Sequence, residues 1–377
     1  MIRFSSSFEC GNGKSFSQLG PSRYRMEVVG DKPVYCYYFC FDLVSPGQAA
    51  QIDLEVWHDP VIDDVPGFIS HFPCTIWLRP HGGSSYFHPL DPARCETYAD
   101  HLVLQLDLAA DQAVRVTDLW PSPCSETNAF LQRLAAERAD CCQLFSVGRS
   151  VQGRELAGIR AGTPGRPRIL CVAGQHPIEF SGTWGMRAVA DFVTSRLPEA
   201  ARLRERFEVE VVPHVNPDGA VAGRNGFNAE GLDMYRAFGA DPEADEPEAH
   251  ESRLLWRRVL GAPTALWFNI HNYLGWRAMA EPPYDGYYTV PSSVFADAAQ
   301  RQRYEALCDA VRLLTDGPSA HAGSATHEPS ALCYQLARRH GVPHVFYEIN
   351  GATGGAFGAA RRAVHVFRTV MEVMLAL

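Results

Sequence analysis

Apolar and polar side chains alternate along several runs in the first third of the chain, between residues 24 and 120. A period of two places successive side chains on opposite faces of a strand, so each run predicts a strand buried on one face. Clusters of Pro and Gly separate the runs. We therefore expect an antiparallel β-sandwich in this part of the chain. The clearest runs are Tyr35, Tyr37, Phe39, Phe41 and Leu43; Ile52, Leu54 and Val56; and Leu102, Leu104, Leu106 and Leu108.

The pattern changes after Pro121-Ser122-Pro123, where strand-like apolar runs begin to alternate with runs of helical spacing. This alternation predicts an α/β sheet with helices on both faces. With 377 residues the chain is long enough for two domains, which we place at residues 1–124 and 125–377. The strand-like runs are 169–173, 209–215, 266–270 and 345–347, and the helical runs are 126–140, 184–193, 330–340 and 357–377.

Composition and charge narrow the class of protein. Hydrophobic residues make up 46% and charged residues 20%, which is typical of a globular protein. The net charge of −9 and the lack of a basic run argue against nucleic acid and anionic membrane as partners. The eleven Cys form no CxxC pair, and we find neither a signal-like start nor an apolar run of eighteen residues. These features favour a cytoplasmic protein with reduced thiols.

Potential metal ligands follow two of the predicted strands. His176 and Glu179 come just after the run 169–173, and His271 comes just after the run 266–270. Because open α/β sheets bind ligands at the carboxyl ends of their strands, the three side chains could converge on one ion. Imidazole and carboxylate groups approach zinc to about 2 Å, and three protein ligands leave one position for water. The sequence therefore predicts a catalytic site for one zinc ion.

A second carboxylate follows the strand-like run 345–347. Glu348 would reach the same edge of the sheet as the predicted ligands. A carboxylate beside a zinc-activated water can act as the general base of a hydrolytic reaction. We therefore predict that Glu348 is the catalytic residue.

Taken together and in this order, several short segments resemble the zinc metallocarboxypeptidase family, in particular its cytosolic carboxypeptidase branch. The resemblance extends over nearly the whole chain. The segments that carry it are Phe8-Glu9-Cys10-Gly11-Asn12, Gly148-Arg149-Ser150-Val151-Gln152-Gly153-Arg154-Glu155-Leu156, His176-Pro177-Ile178-Glu179, Asn216-Pro217-Asp218-Gly219 and Gly231-Leu232-Asp233-Met234-Tyr235-Arg236.

The resemblance implies both a fold and a set of roles. It implies a β-sandwich followed by a carboxypeptidase-like α/β/α domain with a mixed, mostly parallel sheet. It also implies that His176, Glu179 and His271 bind one Zn²⁺ and that Glu348 is the base. Arg236 would hold the terminal carboxylate of the substrate, a task that suits the planar fork of a guanidinium.

The chain departs from the family pattern around the substrate. Gly226 stands where the family has an arginine that stabilises the oxyanion, and Arg224 is the candidate to replace it. Tyr235 stands where an asparagine usually precedes the carboxylate-binding arginine. The family also uses a tyrosine on a mobile segment, for which Tyr334 is the nearest candidate, with His327 as another. If Tyr334 lies on a helix that faces the core, its role is packing alone.

Three functions remain open from the sequence. The first is the removal of a C-terminal amino acid from a peptide or protein. The second, which the changes at Gly226 and Tyr235 suggest, is hydrolysis of a small or modified substrate such as an N-acyl amino acid or a tailored peptide. The third is a zinc protein that binds a C-terminus without cleaving it, against which the presence of Glu348 argues.

Overall fold

The structure is a computed structural model that describes residues 1–31, 38–57, 75–82, 86–98, 100–273, 285–315, 326–351 and 354–377. Tyr35 and Tyr37, which the alternation assigns to a strand, lie outside the described residues.

The first third of the chain forms two five-stranded sheets. A short 3-10 helix, Pro92–Arg94, lies between two of the strands. In spatial order, one sheet contains β1 (Arg3–Ser5), β4 (Cys40–Val44), β10 (Ala113–Thr117), β6 (Trp77–Pro80) and β7 (His88–Pro89). The other contains β2 (Ser15–Gln18), β3 (Arg23–Glu27), β5 (Ala50–Trp57), β9 (His101–Leu108) and β8 (Cys95–Thr97).

The alternating runs supply the core that these two sheets share. Phe39, Phe41 and Leu43 belong to the same buried cluster as the apolar residues of β5 and β9. Within the described strands, β3 and β5 pair in parallel and the other pairs are antiparallel. The first sheet is therefore antiparallel, as the sequence predicts, and the second departs from that prediction in this one parallel pair.

The rest of the chain is built on a seven-stranded sheet. Three of its pairings, β14 with β13, β13 with β15, and β15 with β17, are parallel, and the three pairings toward its edges are antiparallel. The predicted mixed sheet is thus present, with its parallel strands at the centre. In spatial order it contains β11 (Cys142–Arg149), β12 (Glu155–Gly162), β14 (Glu208–Val212), β13 (Arg168–Ala173), β15 (Thr264–Tyr273), β17 (His344–Asn350) and β16 (Gly286–Tyr288).

Helices cover both faces of this sheet, as the sequence predicts. Alternate residues of β13, β15 and β17 pack with α1, α2, α3, α6 and α8 on one face, and the residues between them pack with α5 and α7 on the other. None of the described helices combines the length and apolar character needed to cross a membrane. The helices are α1 (Cys124–Glu137), α2 (Phe180–Val193), α3 (Pro198–Arg206), α4 (Pro217–Val221), α5 (His250–Leu260), α6 (Ala298–Arg312), α7 (Leu332–His340) and α8 (Gly355–Ala376), with a 3-10 turn at Ser292–Val294.

The strand order creates a crevice between β13 and β15. From β13 the chain moves to β14 on one side, and it then returns past β13 to β15 on the other side. Parallel sheets bind ligands where the strand order reverses in this way, beyond the carboxyl ends of the strands. The predicted metal ligands belong to the ends of these two strands.

Candidate metal centre

His176, Glu179 and His271 lie together at the crevice between β13 and β15. The chain leaves β13 through Gly174, which has a positive φ of 76°, and turns so that Glu179 directly precedes α2. His271 lies near the end of β15. One potential ligand atom from each of the three residues lies within 4.8 Å of the other two, and all three residues are buried. The structure therefore brings together the three side chains that the sequence predicts as zinc ligands.

Both imidazoles present the same nitrogen to the Glu179 carboxylate. Nδ1 of His176 lies 2.9 Å from Glu179 Oε1, and Nδ1 of His271 lies 2.6 Å from Glu179 Oε2. Despite that approach, Glu179 Oε2 has no hydrogen bond in the described part of the chain. A buried carboxylate oxygen in this state fits a cation held between the three groups. Two imidazoles and one carboxylate form a donor set found in catalytic zinc hydrolases.

The charge state of the cluster also suits a cation. Burial on its own would raise the pKa of Glu179, but the neighbouring His271 and His176 lower that pKa to about 2. Burial lowers the pKa of His271. At neutral pH the cluster therefore offers an ionised carboxylate, the form that binds a metal.

Hydrogen bonds on the far nitrogens orient both rings. Nε2 of His271 lies 3.0 Å from Gln175 Oε1, which also accepts a 2.7 Å bond from Asn269 Nδ2. Nε2 of His176 lies 3.3 Å from Asp233 Oδ1. An N–H at each Nε2 leaves each Nδ1 with a lone pair toward Glu179. Carbonyl or carboxylate partners of this kind fix the tautomer of a metal-binding histidine.

Sequence reasoning missed these three orienting residues, although signals for each were present. Asp233 belongs to a segment that carries the family resemblance, and Gln175 directly precedes His176. Asn269 lies two residues before His271 in β15, so the period of a strand places both side chains on one face.

Glu348 is brought next to His271 by the register of the sheet. Glu348 of β17 is the direct partner of His271 in β15, and the two strands run in parallel. Directly paired residues of neighbouring strands point to the same face of a sheet, about 5 Å apart. Glu348 is buried, with 8% of its surface exposed. The carboxylate predicted as the base thus extends from the same face as one of the predicted ligands.

Tyr235 and Arg236 border the cluster, and both contact other side chains of the protein. The hydroxyl of Tyr235 lies 3.0 Å from His327 Nδ1. The Tyr235 ring lies 6.1 Å from the rings of both His176 and His271. Arg236 donates through Nη1 to Asp233 Oδ2 at 3.1 Å. Its Nε and Nη2 donate to the two carboxylate oxygens of Glu328 at 3.1 and 3.2 Å. The fork predicted to hold a substrate carboxylate therefore holds a carboxylate of the chain itself.

The segment that contains Gly226 is fixed to the first third of the chain. Asp31 Oδ2 accepts hydrogen bonds from the backbone N–H groups of Asn225, Gly226 and Phe227 at 2.8, 2.8 and 3.2 Å. Arg224 donates from Nη1 to the backbone oxygen of Asn228 at 3.2 Å. This bond ties Arg224 to its own loop, and its oxyanion role stays a prediction.

Tyr334 lies on α7, the helix predicted for residues 330–340. It is partly buried against two hydrophobic clusters. This is the placement for which the sequence predicts a packing role, and a role for Tyr334 in substrate binding stays a prediction.

Two of the family-like segments contact each other through Asp218. Asn216 accepts a hydrogen bond from the backbone N–H of Gly219, which caps the N-terminus of α4. The carboxylate of Asp218 accepts bonds from Ser150 Oγ, the backbone N–H of Gln152 and Arg154 Nη1, at 2.7, 2.8 and 2.8 Å. The first of these segments thus supplies the hydrogen-bond donors for the buried carboxylate of the second.

Comparison with known proteins shows that this chain is similar to zinc carboxypeptidases. The family model described as zinc carboxypeptidase matches residues 127–254, a range that includes His176 and Glu179 and ends before His271. Cytosolic carboxypeptidase 2 of Danio rerio is 25% identical over 260 residues, which are 63% of this chain and 36% of that relative. The chain thus spans about a third of the length of this relative.

The fold of nearly the whole chain is similar to that of several solved structures. A metallo-carboxypeptidase from Burkholderia cenocepacia has a TM-score of 0.79 at 17% identity and covers 99% of each chain. A metallo-carboxypeptidase from Pseudomonas aeruginosa, solved in complex with (2-guanidinoethylmercapto)succinic acid, has a TM-score of 0.76 at 17% identity and covers 100% of each chain. Residues 127–254 therefore match the zinc carboxypeptidase family model, and the chain is similar to zinc metallocarboxypeptidases and shares their fold.

Proposed function

We propose that the protein is a zinc-dependent carboxypeptidase that removes the C-terminal amino acid of a peptide or protein. The observation that carries the proposal is the convergence of His176, Glu179 and His271 at the crevice between β13 and β15, with Glu348 paired to His271 in the neighbouring strand. Three ligands and one adjacent carboxylate are the parts that a zinc hydrolase needs.

Each residue of the site has a distinct task in this reaction. Zinc bound to His176, Glu179 and His271 would lower the pKa of a water ligand to about 7 and polarise the scissile carbonyl. Glu348 accepts a proton from the attacking water and delivers it to the leaving amine as the C–N bond breaks. Asp233 and Gln175 hold the two imidazoles in their metal-binding orientation.

Arg236 and Arg224 are the proposed substrate-binding residues, together with Tyr235 and Tyr334. Arg236 would pair with the terminal carboxylate and so select the last peptide bond for cleavage. Because Glu328 occupies its fork, the substrate carboxylate has to displace Glu328 first. Arg224 would replace the oxyanion arginine that Gly226 lacks, and loss of one such donor typically costs about a hundredfold in rate.

Substitution of the base tests the proposal. The parent protein, loaded with zinc, should shorten a diverse set of peptides by one residue at the C-terminus, as measured by mass spectrometry. Glu348→Gln should lower kcat by about a hundredfold or more, since general bases contribute roughly 10²–10⁴-fold. It should leave zinc content unchanged, and the exposed Glu372→Gln serves as the control. A parent protein that shortens no peptide, or a Glu348→Gln variant as active as the parent, would refute the proposal.

A second candidate function is favoured by the pair of Arg236 with Glu328. If Glu328 stays in place, the arginine is not available to a substrate carboxylate, and the substrate is instead a small or modified one such as an N-acyl amino acid. Parallel assays of free-acid peptides, their C-terminal amides and N-acyl amino acids separate the two functions. Faster cleavage of the free-acid peptides supports the carboxypeptidase, and the opposite ranking supports the second candidate.

We also propose that the protein acts in the cytoplasm. The cytosolic carboxypeptidase named among its relatives supports this location. All nine cysteines within the described residues are free thiols, which is consistent with a reducing compartment.

A further inference from the structure

A second group of potential metal ligands lies on the same face of the sheet as the first. His344 is the first residue of β17, Cys333 lies in α7, and His327 lies in the segment just before that helix. One potential ligand atom from each residue lies within 4.8 Å of the other two. All three residues are at least 97% buried. Ligands of one zinc ion lie roughly 3–4 Å apart, a separation that small side-chain movements would reach.

Each of the two imidazoles has one bonded and one unbonded nitrogen. His327 Nδ1 lies 3.0 Å from the hydroxyl of Tyr235, and His344 Nε2 lies 3.4 Å from the hydroxyl of Tyr304. Within the part of the chain that the structure describes, His327 Nε2 and His344 Nδ1 are buried without a hydrogen-bond partner. A buried polar nitrogen without a partner costs free energy, so these two atoms require an explanation.

The tyrosine contacts resemble the support that metal-binding histidines receive. If the bonded nitrogen of each ring donates its N–H to a tyrosine oxygen, the opposite nitrogen presents a lone pair. The Tyr304 oxygen also accepts the backbone N–H of Val290 at 2.9 Å, which fixes its position. One ring nitrogen of each histidine and the Cys333 sulfur belong to one buried group of three.

The donor set identifies the class of ion. One thiolate and two imidazoles suit zinc, whereas calcium and magnesium prefer oxygen ligands. Binding would replace the thiol proton, which leaves to solvent, and would keep both imidazoles neutral. The thiolate then supplies one negative charge against the two positive charges of the ion, and a water molecule can take the fourth position.

We propose that His327, Cys333 and His344 bind a second zinc ion, separate from the ion held by His176, Glu179 and His271. Phe346 stands between the two groups, with its ring 4.2 Å from that of His271 and 4.8 Å from that of His327. The second ion would tie the segment before α7 to β17. That segment includes Glu328, so the ion would also fix the partner of Arg236.

Cobalt substitution tests this proposal without any measurement of activity. A cobalt ion bound to a thiolate absorbs in the near ultraviolet by charge transfer from sulfur, whereas two imidazoles and a carboxylate contain no sulfur. We expect the metal-stripped full chain to take up two equivalents of zinc. With two equivalents of cobalt it should show the thiolate band.

Variants test whether the thiolate absorption band and the second equivalent of metal come from His327, Cys333 and His344. Cys333→Ser should lose the band and one equivalent of metal, and His176→Gln should lose one equivalent but keep the band. Cys124→Ser is the matched control, because Cys124 is also buried but lies at the start of α1. Cys36 and Cys74 lie outside the described residues, so the Cys333→Ser result is needed to exclude them as the source of the band.

Two results would overturn the proposal. One is a parent protein that binds a single ion and shows no thiolate band, and the other is a band that persists in Cys333→Ser. Should Cys333→Ser fail to fold, His327→Gln and His344→Gln take its place, and an unchanged band in both is equally decisive against the site. The outcome is independent of the proposed hydrolase function, because it depends on metal content and absorption alone.

Discussion

The carboxylate of Asp233 contacts both His176 and Arg236. Its Oδ1 lies 3.3 Å from His176 Nε2, and its Oδ2 accepts from Arg236 Nη1 at 3.1 Å. Burial would raise the pKa of this carboxyl, but its bond to His176 holds the pKa below the usual range, so the group is ionised at neutral pH. A single carboxylate therefore orients a proposed metal ligand and a proposed substrate-binding residue.

We expect Asp233→Asn to weaken zinc binding by about 10- to 100-fold, since loss of a partner that orients a ligand typically has this effect. Competition with a chelating dye measures the affinity, and Asp241→Asn, which changes an exposed carboxylate, is the control. Zinc affinity equal to that of the parent would contradict the role assigned to Asp233.

Glu328 and the substrate compete for Arg236 in the proposed reaction. We expect Glu328→Gln to lower KM for free-acid peptides by up to about fivefold, because exposed ion pairs of this kind contribute roughly 0.2–1 kcal/mol. Steady-state kinetics with free-acid and amidated peptides measure the effect, which should be absent for the amides. Glu243→Gln is a matched control, since Glu243 pairs with Arg338 on the surface. A higher KM in Glu328→Gln would show that Glu328 assists substrate binding.

At the scale of elements, the loop around Gly226 is fixed by one buried carboxylate. Three backbone N–H groups donate to Asp31 Oδ2, and Asn12 Nδ2 donates to the backbone oxygen of Gly223 at 2.8 Å. The position where the family has its oxyanion arginine is thus held by residues from the first third of the chain. Because these hydrogen bonds hold Gly223 and Asn225, they also fix the backbone of Arg224 between them.

We expect Asp31→Ala to lower the free energy of unfolding by about 1–3 kcal/mol, because it leaves buried N–H groups without partners. Denaturant unfolding measures the change, with the exposed Asp140→Ala as the control. If both variants are equally stable, the three bonds to Asp31 do not hold the loop.

The sequence predicts the elements of this fold better than the contacts between them. Period-two and helical spacing place the strands and helices that they predict within a few residues, because burial of one face determines both patterns. They miss α3, α5, α6, β11 and β12. The three predicted metal ligands lie at strand ends, where the sheet brings them together. The register that pairs His271 with Glu348, and the bond from Asp31 to Gly226, join residues 77 and 195 positions apart. Such contacts depend on the packed structure and leave no local pattern.

At the scale of the whole molecule, the two parts of the chain share polar contacts as well as apolar ones. Asn225 Oδ1 accepts the backbone N–H of Tyr38 at 2.9 Å, and Glu9 Oε1 accepts that of Ser125 at 3.0 Å. Tyr38 and Cys10 also pack with Ile178 and Phe180, which flank the predicted ligand Glu179. The first third of the chain therefore supports the candidate site directly, and the boundary at residue 124 stays a prediction.

Acid should destabilise the whole molecule through His214, a buried histidine in the turn between β14 and α4. Burial lowers the pKa of His214 to about 3, compared with about 6.5 in an unfolded chain. Between these values the unfolded state binds more protons than the folded state, so stability falls as the pH falls below about 6.5. The loss is at most about 1.4 kcal/mol per pH unit.

We expect His214→Gln to be less sensitive to acid than the parent when denaturant unfolding is compared at pH 7 and pH 5, whereas the exposed His365→Gln should follow the parent. Because any acid release of metal is common to all three proteins, an equal loss of stability in His214→Gln and the parent would exclude His214 as the source.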